Sequence, residues 1–157
     1  MASAMKSIDV HVPVRVAYNQ WTQMEFFPQF MEGVKEVRQL DDTHMHWIAE
    51  VGGKRQEWDA QITQQIPDQG ISWTATGGDY NAGVVTFHDI DPNTTRVTVQ
   101  LDYQPEGALE HAGSALGFMD RRLQADLERF KTFIESRQQE TGAWRGEVQD
   151  HPDVERP

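Results

Sequence analysis

The chain has no cysteine in 157 residues. A disulfide framework, a thiolate metal site and a cysteine nucleophile are therefore excluded. It also lacks basic runs: the longest are the pairs Lys54-Arg55 and Arg121-Arg122, against 25 acidic residues and a net charge of −11. Proteins that grip phosphate backbones carry basic patches. Nucleic-acid binding is not expected, and the same sign disfavours docking on an anionic membrane. No apolar run approaches the roughly 18 residues of a membrane span, so no stable membrane insertion is expected. The N-terminal MASAMKSIDV has no apolar core of a signal peptide. These absences lead us to expect a cytoplasmic protein. Also missing are a Gly-x-Ser-x-Gly elbow, a phosphate loop, a dinucleotide fingerprint and a zinc-protease motif. No cofactor and no metal are expected.

The residues present give a clear order. Ile8, Val10 and Val12 alternate within residues 5–12 and predict a first strand. Pro13 suits the start of a helix, and Val14, Ala17, Tyr18 and Trp21 follow at helical spacing. Pro28 interrupts, and a second short helical turn is expected through Phe30 and Met31. From Val34 to Gln104 apolar and polar residues alternate between turn signals such as Gly52-Gly53 and Asp91-Pro92-Asn93, which predicts six strands. A stripe of Leu109, Ala112, Leu116, Met119, Leu123, Leu127, Phe130 and Ile134 predicts a helix over 109–138. At 1.5 Å per residue it is roughly 45 Å long, enough to cross a sheet. The expectation is an α+β domain over 1–140, with a polar tail over 141–157. Trp144 in that tail, and Phe118 opposite the helix stripe, suggest a weak homodimer or a tail folded back over the helix.

The stripe is bulky in its second half and small in its first, where Ala112, Gly113, Ala115 and Gly117 fall. A mid-helix glycine costs about 1 kcal/mol against alanine. These glycines allow either close contact with the sheet or room for a ligand. The stretch EFFPQFMEGV, residues 25–34, joins the first helix to the sheet. Its Phe26, Phe27, Phe30 and Met31 are read either as ordinary core or as a plug at the open end of a cavity. Trp47, Trp58 and Trp73 fall on the apolar phases of their strands, where they fill core or stack on a flat ligand. Asp120 lies beside Leu116, Leu123 and Leu127 on the helical wheel, and a carboxylate there must be paired, hydrogen-bonded or protonated. It is a candidate ligand contact or general base, with Tyr103 on the inner phase of the last strand as a second polar group. His44, His46 and Glu50 share one strand phase opposite Trp47. That phase is read as solvent-facing rather than as a metal site.

The layout resembles the helix-grip fold of the START-related domains and the polyketide cyclase/dehydrase family, often grouped as SRPBCC. The bacterial cyclase/dehydrase and coenzyme Q-binding-type branch is the nearer likeness. The residues that carry it are Val12-Pro13-Val14 with Trp21, Phe27-Pro28-Gln29-Phe30-Met31, Gly33-Val34, His46-Trp47, Trp58-Asp59-Ala60, Ile71-Ser72-Trp73, Gly83-Val85-Phe87 and the helix ending Phe130-Lys131-Thr132-Phe133-Ile134-Glu135. The resemblance implies a seven-stranded antiparallel sheet wrapped around a long C-terminal helix, with two short helices after the first strand. It implies a cavity between sheet and helix for a lipid, quinone or polyketide-like ligand. The expected lining is Phe26, Phe30, Met31, Trp47, Trp58, Trp73, Tyr103, Gly113, Leu116, Gly117, Met119, Asp120 and Leu123. Binding or carriage of that ligand is the expected function. The alternatives are a cyclase or dehydratase using Asp120 or Tyr103, and an interaction module with a vestigial cavity.

Overall fold

The computed structural model describes residues 2–51, 53–77, 81–103 and 112–149, with the backbone alone at 2, 51 and 112–118. The first strand, β1, spans Ala2–Val10, and helix α1 follows at Val14–Thr22. Pro13 occupies the cap position, and its carbonyl receives the N–H groups of Val16 and Ala17 at 3.0 and 3.2 Å. A 3-10 turn covers Met24–Gln29. Six strands then run without a helix between them: β2 (Val34–Gln39), β3 (His44–Val51), β4 (Lys54–Ile66), β5 (Gly70–Gly77), β6 (Asn81–Asp91) and β7 (Thr94–Tyr103). The long helix α2 spans Ala112–Arg137, and a short strand β8 lies at Val148–Gln149. The expected helical residues 109–111 lie outside the described residues.

All pairings are antiparallel, in the order β1-β7-β6-β5-β4-β3-β2, with β8 added to β4 off this path. The two edges are therefore β1 and β2, and α2 reaches the end of each. On the β1 side Lys131 Nζ donates to the Asp9 carbonyl at 2.9 Å, and the His11 N–H donates to Glu135 at 2.8 Å. On the β2 side Arg129 Nε donates to the Phe30 carbonyl at 3.1 Å, and Asp126 accepts the Glu32 N–H at 3.3 Å. The helix thus packs along the β1 edge and is tied to the turn that leads into β2. It stops where Gln138 turns to φ 60° and its N–H returns to the Ile134 carbonyl at 2.8 Å, a left-handed helix stop.

The bulky half of α2 meets an aromatic cluster. Trp21, Phe27, Phe30 and Phe130 are each at most 1% exposed. Phe130 lies 5.0 Å from Phe30 and 5.4 Å from Trp21, ring centre to ring centre, and Phe133 lies 5.7 Å from Phe30. Of the two readings of residues 25–34, ordinary core describes Phe27 and Phe30. Phe27 and Phe30 belong to the cluster around the large side chains of α2, at the sealed end. Phe26 is 39% exposed. The reason is the period of the 3-10 turn: three residues per turn puts Met24, Phe27 and Phe30 on one side and turns Phe26 away.

The C-terminal residues fold back over α1 rather than over the long helix. Asn19 Nδ2 donates to Glu140 at 2.7 Å, and Gln20 exchanges two hydrogen bonds with Thr141 at 3.0 and 2.9 Å. The Trp144 N–H reaches the Thr22 hydroxyl at 3.1 Å. Arg145 donates to Asn19 Oδ1, pairs with Asp68 at 2.9 Å and lies over the Tyr18 ring. Val148 and Gln149 then pair with Gln65 and Gln64 of β4. The boundary expected at 140 therefore runs through packed structure. Asn19, Gln20 and Thr22 are buried polar residues, and buried polar groups need partners, which this strap supplies.

Candidate functional site

Strands β3, β4 and β5 bring Trp47, Trp58 and Trp73 together on the inner face. Trp47 sits directly opposite Trp58, while Trp73 faces Ile62. Between them Ala60 pairs with Met45 on one side and Ala75 on the other. The small Ala60 and Ala75 leave room for indole rings to lie across the sheet. Trp47 and Trp58 stack with centres 5.7 Å apart and planes 12° from parallel; Trp47 and Trp73 stack at 6.3 Å and 21°. Gly83 is the partner of Trp73 on β6. A Cβ there would stand 2.4 Å from Trp73 Cζ2, so the ring lies on bare backbone. Only glycine permits that close approach.

Tyr103 closes β7, paired with Asn81 on one side and Ala2 on the other. Burial raises the pKa of its phenol, and the charge of Asp120 raises it further. The two polar residues singled out in the sequence therefore interact electrostatically, and the phenol stays protonated and able to donate. Along α2 from Asp120, Leu123 is buried, and Met119 packs partly buried against the core. The surroundings of Gly113, Leu116 and Gly117 lie outside the described residues, as does the side chain of Phe118. Of the aromatic stretch, Phe30 is sealed in the cluster around Phe130, Phe26 is exposed, and Met31 is half-buried.

The outer face carries His44 and His46, each taken up by carboxylates. His44 Nδ1 lies 3.0 Å from Asp41, and His46 meets Asp59 at 2.7 Å with one ring nitrogen and Glu57 at 2.9 Å with the other. Glu50 pairs with Lys35 at 3.6 Å. Asp59 and Glu57 are exposed, and no sequence pattern ties them to His46.

One cavity has only a faint sequence signal. About 320 Å³ of space lies beneath the strap, with Met24, Met45 and Ile62 on its inner side and Ala143 and Trp144 on its outer side. Trp144 in a polar tail is the sole hint of it.

A seven-stranded antiparallel sheet curled around one C-terminal helix, with aromatic residues on its inner face, defines a helix-grip protein. The chain belongs to the polyketide cyclase / dehydrase and lipid transport family, whose model matches residues 10–132. It is 53% identical over 149 residues to an uncharacterized 17.2 kDa protein in the melC2-rnhH intergenic region of Streptomyces lincolnensis, covering 94% of this chain and 99% of that one. Its structure is similar to one from Deinococcus radiodurans, with a TM-score of 0.69 and 24% identity over 86% of this chain and 98% of that chain. It is also similar to the Zhui aromatase/cyclase of Streptomyces sp. R1128, with a TM-score of 0.68 and 11% identity over 87% and 93% of the two chains. At these identities the two structures establish the shared fold. Among the described residues no helix is long and apolar enough to cross a membrane.

Proposed function

We propose that the protein binds and carries a hydrophobic small molecule, a lipid, quinone or polyketide-like compound, in the cytoplasm. The ligand lies between the inner face of the sheet and the first half of α2. The tryptophan wall carries this reading. At the sealed end, aromatic rings meet at 47–64°, the tilted and edge-on contacts that fill core. The rings of Trp58, Trp47 and Trp73 are instead near-parallel, at 12° and 21°. They form one continuous stack along the inner face, with Trp73 resting on the bare backbone of Gly83. Apolar walls with a few polar groups are the usual make-up of a small-molecule site. Native mass spectrometry of freshly purified protein, followed by organic extraction, tests the reading. A bound apolar mass is expected. Protein that emerges empty and takes up no apolar dye would sink it.

The electrostatic interaction of Tyr103 with Asp120 favours a second reading, a cyclase or dehydratase working in the same space. A neutral phenol can donate to a carbonyl while the carboxylate accepts a proton. Turnover separates the two. If the second reading is right, Tyr103→Phe and Asp120→Asn lose turnover of an aromatic polyketide precursor while retaining its binding.

A further inference from the structure

We propose that the indole N–H groups of Trp47 and Trp58 form the polar end of the ligand site and take a flat, neutral molecule by a carbonyl or ether oxygen. The inference rests on the cavity reading above and adds the chemistry of its occupant. Among the described residues, the Nε1 atoms of Trp47 and Trp58 are buried and have no hydrogen-bond partner. Buried groups of this kind are few in native proteins. An indole N–H can only donate, so the missing partner is an acceptor.

Trp21 shares the same deficiency, but its surroundings differ. Phe27 and Phe130 meet it at 60° and 64°, so ring faces are available to its N–H. Stacked rings cannot offer that. The Trp58 plane is within 12° of Trp47, and the Trp47 plane within 21° of Trp73. An N–H lies in the plane of its ring and cannot reach the face of a parallel neighbour. Phe27 meets Trp47 at a tilt of 47°, which makes Trp58 the cleaner case. The inner-face neighbours Ala60, Ala75 and Gly83 contribute no polar side-chain atom.

Charge then narrows the acceptor. A carboxylate buried beside Ala60, Ala75 and Gly83 would find no cation among them to pair its charge. A neutral oxygen meets the two donors without that cost. Trp58 ends the stack and is only partly buried, so a planar ring system on which such an oxygen is fixed can extend it. A plain hydrocarbon chain would fill the space and leave both donors unpaired.

9-Fluorenone and fluorene differ at one carbon, a carbonyl against a methylene, and both are flat. Each is titrated against the full chain, following tryptophan fluorescence and the indole N–H resonances. The wild type should prefer fluorenone by about tenfold or more, the scale of one well-made hydrogen bond. The Trp58 indole resonance should move downfield with fluorenone and not with fluorene. In Trp58→Phe, which keeps an aromatic ring, the preference should shrink to about threefold or less. Equal affinity for both compounds, or identical resonance shifts, overturns the donor assignment and leaves the cavity reading standing. Binding of neither overturns both. Should Trp58→Phe fail to fold, the wild-type ratio and resonances still decide.

Discussion

His46 is held by two carboxylates at once, one on each ring nitrogen. Each carboxylate oxygen only accepts, so both nitrogens must donate and the ring is an imidazolium. The hydrogen bond to Asp59, then that to Glu57, raises the His46 pKa above its ordinary 6.5. Glu57 is lowered below 4.5, first by His46 and then by Arg55. The consequences for stability have opposite signs. A raised histidine contributes fully below the unfolded pKa and is lost as pH rises through the folded value. A lowered carboxylate contributes above its unfolded pKa and is lost as pH falls through its folded value. The clamp is therefore at full strength between pH 4.5 and 6.5. Urea midpoints measured from pH 5 to about pH 9 should fall more for the wild type than for His46→Gln, which has no proton to lose. Parallel curves would show that the clamp contributes nothing. Added salt should narrow the difference, because these carboxylates are exposed.

At the scale of elements, the strands were legible because a period of two leaves little choice. One face of β3, β4 and β5 is apolar, and it brings three tryptophans together. Tyr103 and Asp120 were singled out for a related reason: each falls on an inward phase of its element. The stretch around Pro28 was not legible, because its turn has period three rather than 3.6 and changes which phenylalanine faces in. Phe30→Ala should accordingly cost about 3–5 kcal/mol, while Phe26→Ala should stay within about 0.5 kcal/mol of the wild type. Chemical denaturation measures both, and a reversed ranking would return Phe26 to the core. In α2 the small first half is proposed to roof the ligand. Gly117→Leu should then weaken uptake of an apolar dye while stability holds or rises by up to about 1 kcal/mol from helix propensity, with Gly113→Leu the stronger version. Loss of about 1–3 kcal/mol with dye affinity retained would mean overpacking instead, and a helix pressed close on the sheet.

The whole molecule is closed by a strap whose role the sequence hid. Asn19 and Gln20 are polar, yet both are buried. Their partners Glu140, Thr141 and Arg145 come from 121 to 126 residues away, a distance no local pattern spans. The strap also covers Met24, Met45 and Ile62 and occupies the stretch of β4 at Gln64 and Gln65. Ending the chain at Gln139 removes all of this, but it does not strand the polar groups of α1, because water replaces their partners. Each lost hydrogen bond is worth only about 0.5–1.5 kcal/mol net, offset in part by the chain entropy that the strap no longer gives up. The shortened protein should therefore fold, with a lowered urea midpoint and less hydrogen-exchange protection at Gln64 and Gln65. What it cannot recover is cover for its apolar surface. Exposed methionines beside a free strand segment are a surface for self-association. Light scattering should show a mass that grows with concentration for the shortened chain more than for the full one. Equal masses and equal midpoints would show that the strap covers nothing the fold depends on.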